Sequence, residues 1–217
     1  MPANIRFLIA QTSSRLADLT TNLSHIKLVL QQGKQDADVV IFPEMALTGY
    51  ALQDRLFYPT LEIQIQSAIE QLCKLSTISS FIVGMPLFRS LFMQGKIFNG
   101  CAFFSQGQLQ WHYAKHYLTQ HQPFDEARYF TAGHDQPLFE INGHTIAIAL
   151  GDELSQPDFI NQLKQQPPQL LLNLSADSFY LGRTQQREQQ LAQAAQQLDC
   201  PLIYVNAAGA QDEWVYA

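Results

Sequence analysis

Three expected strands end at positions that could take part in chemistry. Glu44 follows DVVIFP, Lys115 follows QLQWHYA, and Gly151 closes TIAIAL ahead of Asp152 and Glu153. A carboxylate at the end of a buried strand is a candidate general base, because loss of water raises its proton affinity. A lysine in the same place is a candidate fixed cation for a developing oxyanion. The third turn is of the kind that mounts a catalytic side chain, yet it carries glycine, which has none. Singly, each position has a plainer reading: Glu44 as a helix cap or rim charge, Lys115 as a solvated lysine, Gly151 as an ordinary turn. Their occurrence at three strand ends, in chain order, raises all three together, since α/β sheets build sites at the carboxyl ends of their strands.

The elements that would position these residues can be read from the apolar periodicity. Strands are expected over Ile5–Gln11, Asp38–Phe42, Ser80–Met85, His144–Leu150, Leu170–Leu174 and Pro201–Asn206. Phe98–Ser105 and Gln108–Ala114 read as a hairpin turning at Gln106-Gly107. Helical spacing covers Leu19–Gly33, Leu61–Leu75, Gln156–Gln166 and Thr184–Leu198, the last being the solvated face of a Gln-rich helix. Strands alternating with helices of this length indicate an α/β protein with buried sheets. The whole of residues 1–217 is expected to form one domain, without an internal repeat.

Composition narrows the partners. The net charge is −6, with no Lys/Arg cluster, which argues against nucleic acid or an anionic membrane surface. No apolar run is long enough to span a bilayer. The N-terminal MPANIRFLIAQTSS lacks the basic start and cleavage site of a signal peptide. Cys73, Cys101 and Cys200 are far apart and in no CxxC pair, so neither a metal site nor a disulfide framework is expected. The expected location is a reducing cytoplasm.

Longer stretches carry a resemblance. FPEMALTGY (42–50) is similar to an FPE-x-x-x-TGY motif, and KHYLTQHQPFDEARYFTAG (115–133) to K-x-x-LPNY-x-VFDE-x-RYF. NLSAD and GRTQQRE, between Asn173 and Glu188, and YVNAAGAQDE (204–213) follow in the same order. Together they resemble the carbon–nitrogen hydrolase (nitrilase) superfamily, in the branch of glutaminase domains found in glutamine-dependent NAD synthetases. The resemblance covers essentially the whole chain. It implies an α-β-β-α sandwich of four layers with two mixed sheets. It also implies glutamine hydrolysis that supplies ammonia for NAD synthesis from nicotinic acid adenine dinucleotide. That chemistry uses a cysteine nucleophile, a glutamate that moves its proton, and a lysine that steadies the tetrahedral intermediate.

Carried over by residue, the glutamate is Glu44, the lysine Lys115 and a second glutamate Glu126. Tyr50, His121 and Ser175 fall at the substrate pocket. The cysteine falls on Gly151, and the neighbourhood also departs from the pattern: a loop tyrosine becomes His121, and the acid pair reads Asp152-Glu153. The resemblance therefore implies a glutaminase fold without its thiol and inactive as a hydrolase. The alternatives are a binding, regulatory or split-enzyme subunit, or a weak amidohydrolase whose water is activated by Glu44, with room for that water beside the glycine. The small amide would be one such as glutamine. No cofactor is expected in this domain, ATP and Mg belonging to a synthetase half. Family domains continue past QDE with further strands, so an open sheet edge is expected near residue 217, covered by a second copy or a partner.

Overall fold

The computed structural model describes residues 4–88, 96–120 and 125–217. Helix α1 (Leu19–Gly33) starts where the Asp18 side chain accepts from the Thr21 backbone N–H at 3.0 Å, and it buries Leu19, Leu23, Ile26 and Leu30. Helix α2 (Pro59–Leu75) has proline in its first turn, where no backbone donor is lost, and buries Leu61, Ile65, Ala68, Ile69 and Leu72.

Five strands, β1 (Phe7–Ile9), β2 (Val39–Ile41), β3 (Ser80–Leu87), β4 (Phe98–Ser105) and β5 (Gln108–Ala114), form one sheet in chain order. The first three are parallel; β3/β4 and β4/β5 are antiparallel. A short helix α3 (Glu126–Tyr129) follows. A second sheet holds β6 (Leu138–Ile141), β7 (His144–Leu150), β8 (Leu170–Ser175) and β9 (Leu202–Asn206), antiparallel at β6/β7 and parallel elsewhere. Helices α4 (Pro157–Gln165) and α5 (Arg183–Leu198) complete its crossovers. A hairpin, β10 (Gly209–Gln211) and β11 (Trp214–Tyr216), pairs only with itself among the named strands.

Alternation along the strands explains the layers. Val40, Phe81, Val83, Ala102 and Phe104 face α1 and α2 in one core cluster. Their neighbours Val39, Ile41, Ile82, Cys101 and Phe103 join Ile146, Ile148, Leu172, Phe159 and Leu198 in the other, which packs the two sheets together and α4 and α5 outside. Two mixed sheets between helix layers are the sandwich expected from the sequence. The expected helix Leu19–Gly33, both hairpin strands and His144–Leu150 appear with the same bounds. The first strand is shorter than expected, and β6, α3, β10 and β11 were not anticipated; each of these four is only three or four residues long.

Candidate active site

The strand ends converge. Pro43 and Glu44 leave β2 in a turn pressed onto Gly84 of β3, where a Cβ would lie 2.4 Å from the Pro43 carbonyl oxygen and 2.5 Å from the Glu44 Cα. Glycine at 84 is thus what lets Glu44 sit so close to the sheet. Lys115 leaves β5, its N–H donating to the Asn99 carbonyl at 2.8 Å. Gly151 leaves β7 with φ +55°, a left-handed turn, and its N–H donates to the Leu174 carbonyl on β8.

Glu44, Lys115 and Glu126 are 3%, 1% and 3% exposed, so their charges are settled among themselves. Lys115 Nζ donates to Glu44 Oε1 at 3.1 Å and lies 3.0 Å from Glu126 Oε2. Burial pushes the Glu44 carboxyl up to about 6 against the pull of Lys115. Burial by itself would lower the Lys115 pKa, but Glu126 and Glu44 outweigh it and hold the ammonium above its ordinary value. Buried ions survive only when paired and hydrogen-bonded in this way. The remaining lone pairs are also used. The Ala176 N–H donates to Glu44 Oε2 at 3.0 Å, the Thr119 N–H to Glu126 Oε2 at 2.7 Å, and the Tyr50 hydroxyl to Glu126 Oε1 at 2.6 Å.

Asn99 was missed in the sequence. Its Nδ2 donates to Glu44 Oε1 and to Glu126 Oε1, both at 2.7 Å, joining two like charges. The available signal was a polar side chain in the otherwise apolar strand FNGCAFF. Asn99→Ala removes a donor that favours the ionised form. It is expected to raise the Glu44 midpoint above about 6 and to lower stability by about 2–3 kcal/mol. Carboxyl ¹³C NMR titration with urea unfolding checks this, and an unmoved Glu44 midpoint contradicts it.

Gly151 faces this cluster. A Cβ there would lie 2.7 Å from Lys115 Nζ and 3.3 and 3.5 Å from the Glu44 carboxylate oxygens. The ammonium thus stands at the start of the space a side chain would take. A cavity of about 40 Å³ opens alongside, lined by Glu44, Tyr50, Lys115, Gly151, Ser175 and the Asp177–Arg183 pair, among others. Of the expected site residues, Glu44, Lys115, Glu126, Gly151, Tyr50 and Ser175 are brought together; His121 lies outside the described residues. Arg183 and Asp177, 2.7 Å apart, were quoted within motifs but given no role. None of the three cysteines lines the cavity; Cys73 is on α2, Cys101 is buried in β4 and Cys200 precedes β9. Among the described residues no cluster suited to a metal ion occurs, and no helix is long and apolar enough to cross a membrane.

The site is thus a glutamate and a lysine brought together from beyond the ends of β2 and β5 in a mixed-sheet sandwich. Residues 9–217 match the carbon–nitrogen hydrolase family, and the chain belongs to it. The glutamine-dependent NAD(+) synthetase of Acinetobacter baylyi is 29% identical over 98% of this chain and 39% of that protein. The solved structure of the Acinetobacter baumannii glutamine-dependent NAD+ synthetase, in complex with ADP, superposes with a TM-score of 0.91 at 30% identity, over 98% of this chain and 40% of that one. A mutant of the Nesterenkonia AN1 amidase, from the nitrilase superfamily, shares the fold, with a TM-score of 0.85 at 19% identity over 100% of this chain and 81% of that one. This chain spans about two fifths of the length of the NAD synthetases it matches.

Proposed function

We propose that this chain is a glutaminase-type domain that still recognises a primary carboxamide, the side chain of glutamine in particular, and has lost the covalent route for hydrolysing it. The observation carrying this reading is the intact Glu44–Lys115–Glu126 cluster facing a glycine across one small cavity. A primary amide is neutral and offers both a donor and an acceptor. Its carbonyl oxygen would accept from the Lys115 ammonium, and its N–H would donate to the Glu44 carboxylate, which is mostly ionised above about 6. Arg183 and Asp177 line the same cavity and match the carboxylate and ammonium of a free amino acid. Glycine at 151 supplies no atom that can form a thioester, and loss of a nucleophile costs hydrolases on the order of 10⁶ in rate.

In this reading the chain serves as a glutamine-binding, regulatory or split-enzyme subunit, and any ammonia for NAD synthesis comes from elsewhere. A second reading rests on Glu44, whose raised carboxyl suits a general base near neutral pH and could activate a water in the cavity. Calorimetric titration with glutamine, paired with a coupled ammonia assay, separates the two. Binding is expected without ammonia above background. Ammonia release that disappears in Glu44→Ala overturns the binding reading in favour of activated water. Absence of glutamine binding, in both the unaltered chain and Gly151→Cys, removes both.

A further inference from the structure

Glu153 is completely buried and belongs to none of the contacts of the Glu44–Lys115–Glu126 cluster, yet it touches both arms of the site. Its Oε1 accepts from the His116 N–H at 2.7 Å, the Tyr117 N–H at 3.2 Å and the Tyr113 hydroxyl at 2.9 Å. Its Oε2 accepts from the Leu150 N–H at 2.8 Å and again from Tyr113 at 3.1 Å. His116 and Tyr117 directly follow Lys115, and Leu150 directly precedes Gly151. One carboxylate therefore ties the peptide carrying the lysine to the strand end presenting the glycine, across the join between the two sheets.

We infer that Glu153 is a positioning residue whose ionised carboxylate holds Lys115 against Gly151, so that protonating it loosens that contact. A carboxylate with two oxygens can serve both sets of backbone donors at once. A carboxylic acid must give one oxygen a hydrogen, which faces backbone N–H groups that can only donate. The Tyr113 hydroxyl can turn to accept that proton, but it then ceases to donate to Glu153.

The groups facing Glu153 place the change near neutrality. Burial pushes its carboxyl up to about 7, opposed by the Leu150 N–H and the Lys115 charge. The Cys101 thiol on β4 and the Tyr113 phenol on β5 are pushed well above their ordinary values by burial and by Glu153 itself, and stay protonated. The Tyr117 phenol is raised by burial, with Asp158 and Glu153 adding to it. The His116 imidazole is lowered by burial, against Asp135, and is neutral at that pH. Glu44 changes charge lower, at about 6.

The consequence for a ligand rests on the carboxamide reading, but the contact itself can be measured without one. The unliganded chain, labelled at lysine ¹⁵Nζ and glutamate ¹³Cδ, is titrated by NMR. The Lys115 Nζ resonance is expected to follow the Glu153 carboxyl with a shared midpoint near 7, and to keep that step in Glu44→Gln. The Lys115 Hε–Gly151 Hα cross-peak is expected to fall at least twofold on the acid side, and both pH effects to vanish in Glu153→Gln. A Lys115 resonance that tracks only Glu44 overturns the inference, as does one that shifts while the cross-peak stays constant, which marks a charge effect alone. If Glu153→Gln does not fold, the unaltered chain and Glu44→Gln still decide the matter. Failure of glutamine to bind would remove the carboxamide reading and leave this result standing.

Discussion

Gly151→Cys is expected to raise ammonia release from glutamine at least ~10³-fold over the unaltered chain, out of the ~10⁶ a nucleophile is worth. The acid–base partner and the cation are already in place. The substituted Cβ would lie within 3.5 Å of both Glu44 oxygens and 2.7 Å from Lys115 Nζ. That last distance is too short, so the ammonium must retreat by several tenths of an ångström. It is the far end of a flexible side chain, and Thr119 Oγ1, already 3.4 Å away, offers an alternative partner. Cysteine must also adopt the +55° φ that glycine adopts freely, at roughly 1–2 kcal/mol of stability. The expected result is therefore a less stable protein with a new activity, read by urea unfolding and a coupled ammonia assay. A folded Gly151→Cys protein that releases no more ammonia than the unaltered chain would show that the pocket, and not only the thiol, has departed from the glutaminase arrangement.

Lys115→Met is expected to cost about 3–5 kcal/mol of stability at pH 8, the usual penalty for removing one partner of a buried ion pair. Methionine matches the stem of the lysine, so packing is nearly kept and the loss reports the charge. Two carboxylates sharing Asn99 would then be buried without a cation. The pH dependence has a definite sign. Glu44 already binds its proton more tightly in the folded state, at about 6 against 4.5 for an ordinary glutamate, so its contribution is fully present below 4.5 and is lost as the pH rises through 6. Without Lys115 that midpoint rises further. The gap in stability between Lys115→Met and the unaltered chain is therefore expected to shrink as the pH falls from 8 to 5. Urea unfolding at several pH values measures it; a gap that stays constant or widens on acidification would mean that the ion pairs do not govern the loss.

What could be read from the sequence follows from how far each signal reaches. Helix α1 and the β4–β5 hairpin rest on local periodicity and a local turn, and both stood where expected. The strand-end positions of Glu44 and Gly151 were visible because buried strands make conspicuous apolar runs, and that of Lys115 because its strand is half of a hairpin with a legible turn. The short pieces β6, β10 and β11 hold three or four residues each, too few for a period to show. Asn99 and Glu153 escaped for another reason. Their partners lie 55 and 27 positions away for Asn99, and 36 to 40 away on the lysine side for Glu153. A lone polar side chain in an apolar strand marks Asn99, but nothing within either residue's own strand or turn says where such distant partners lie. The placement of Lys115 against Gly151 was likewise invisible, since it depends on two sheets meeting.

That placement has a historical implication. In a site of this construction the parts are not equally dispensable. Removing Lys115 strands two carboxylates in the interior, and removing Glu44 or Glu126 takes one of two partners from a buried ammonium, whereas glycine at 151 suits a left-handed backbone and leaves the ammonium the space a Cβ would take. Chemistry can thus be surrendered at position 151 without surrendering the molecule. A lineage released from the need for turnover would shed the reactive atom first and go on carrying the ionic scaffold around it, because the scaffold also holds the protein together.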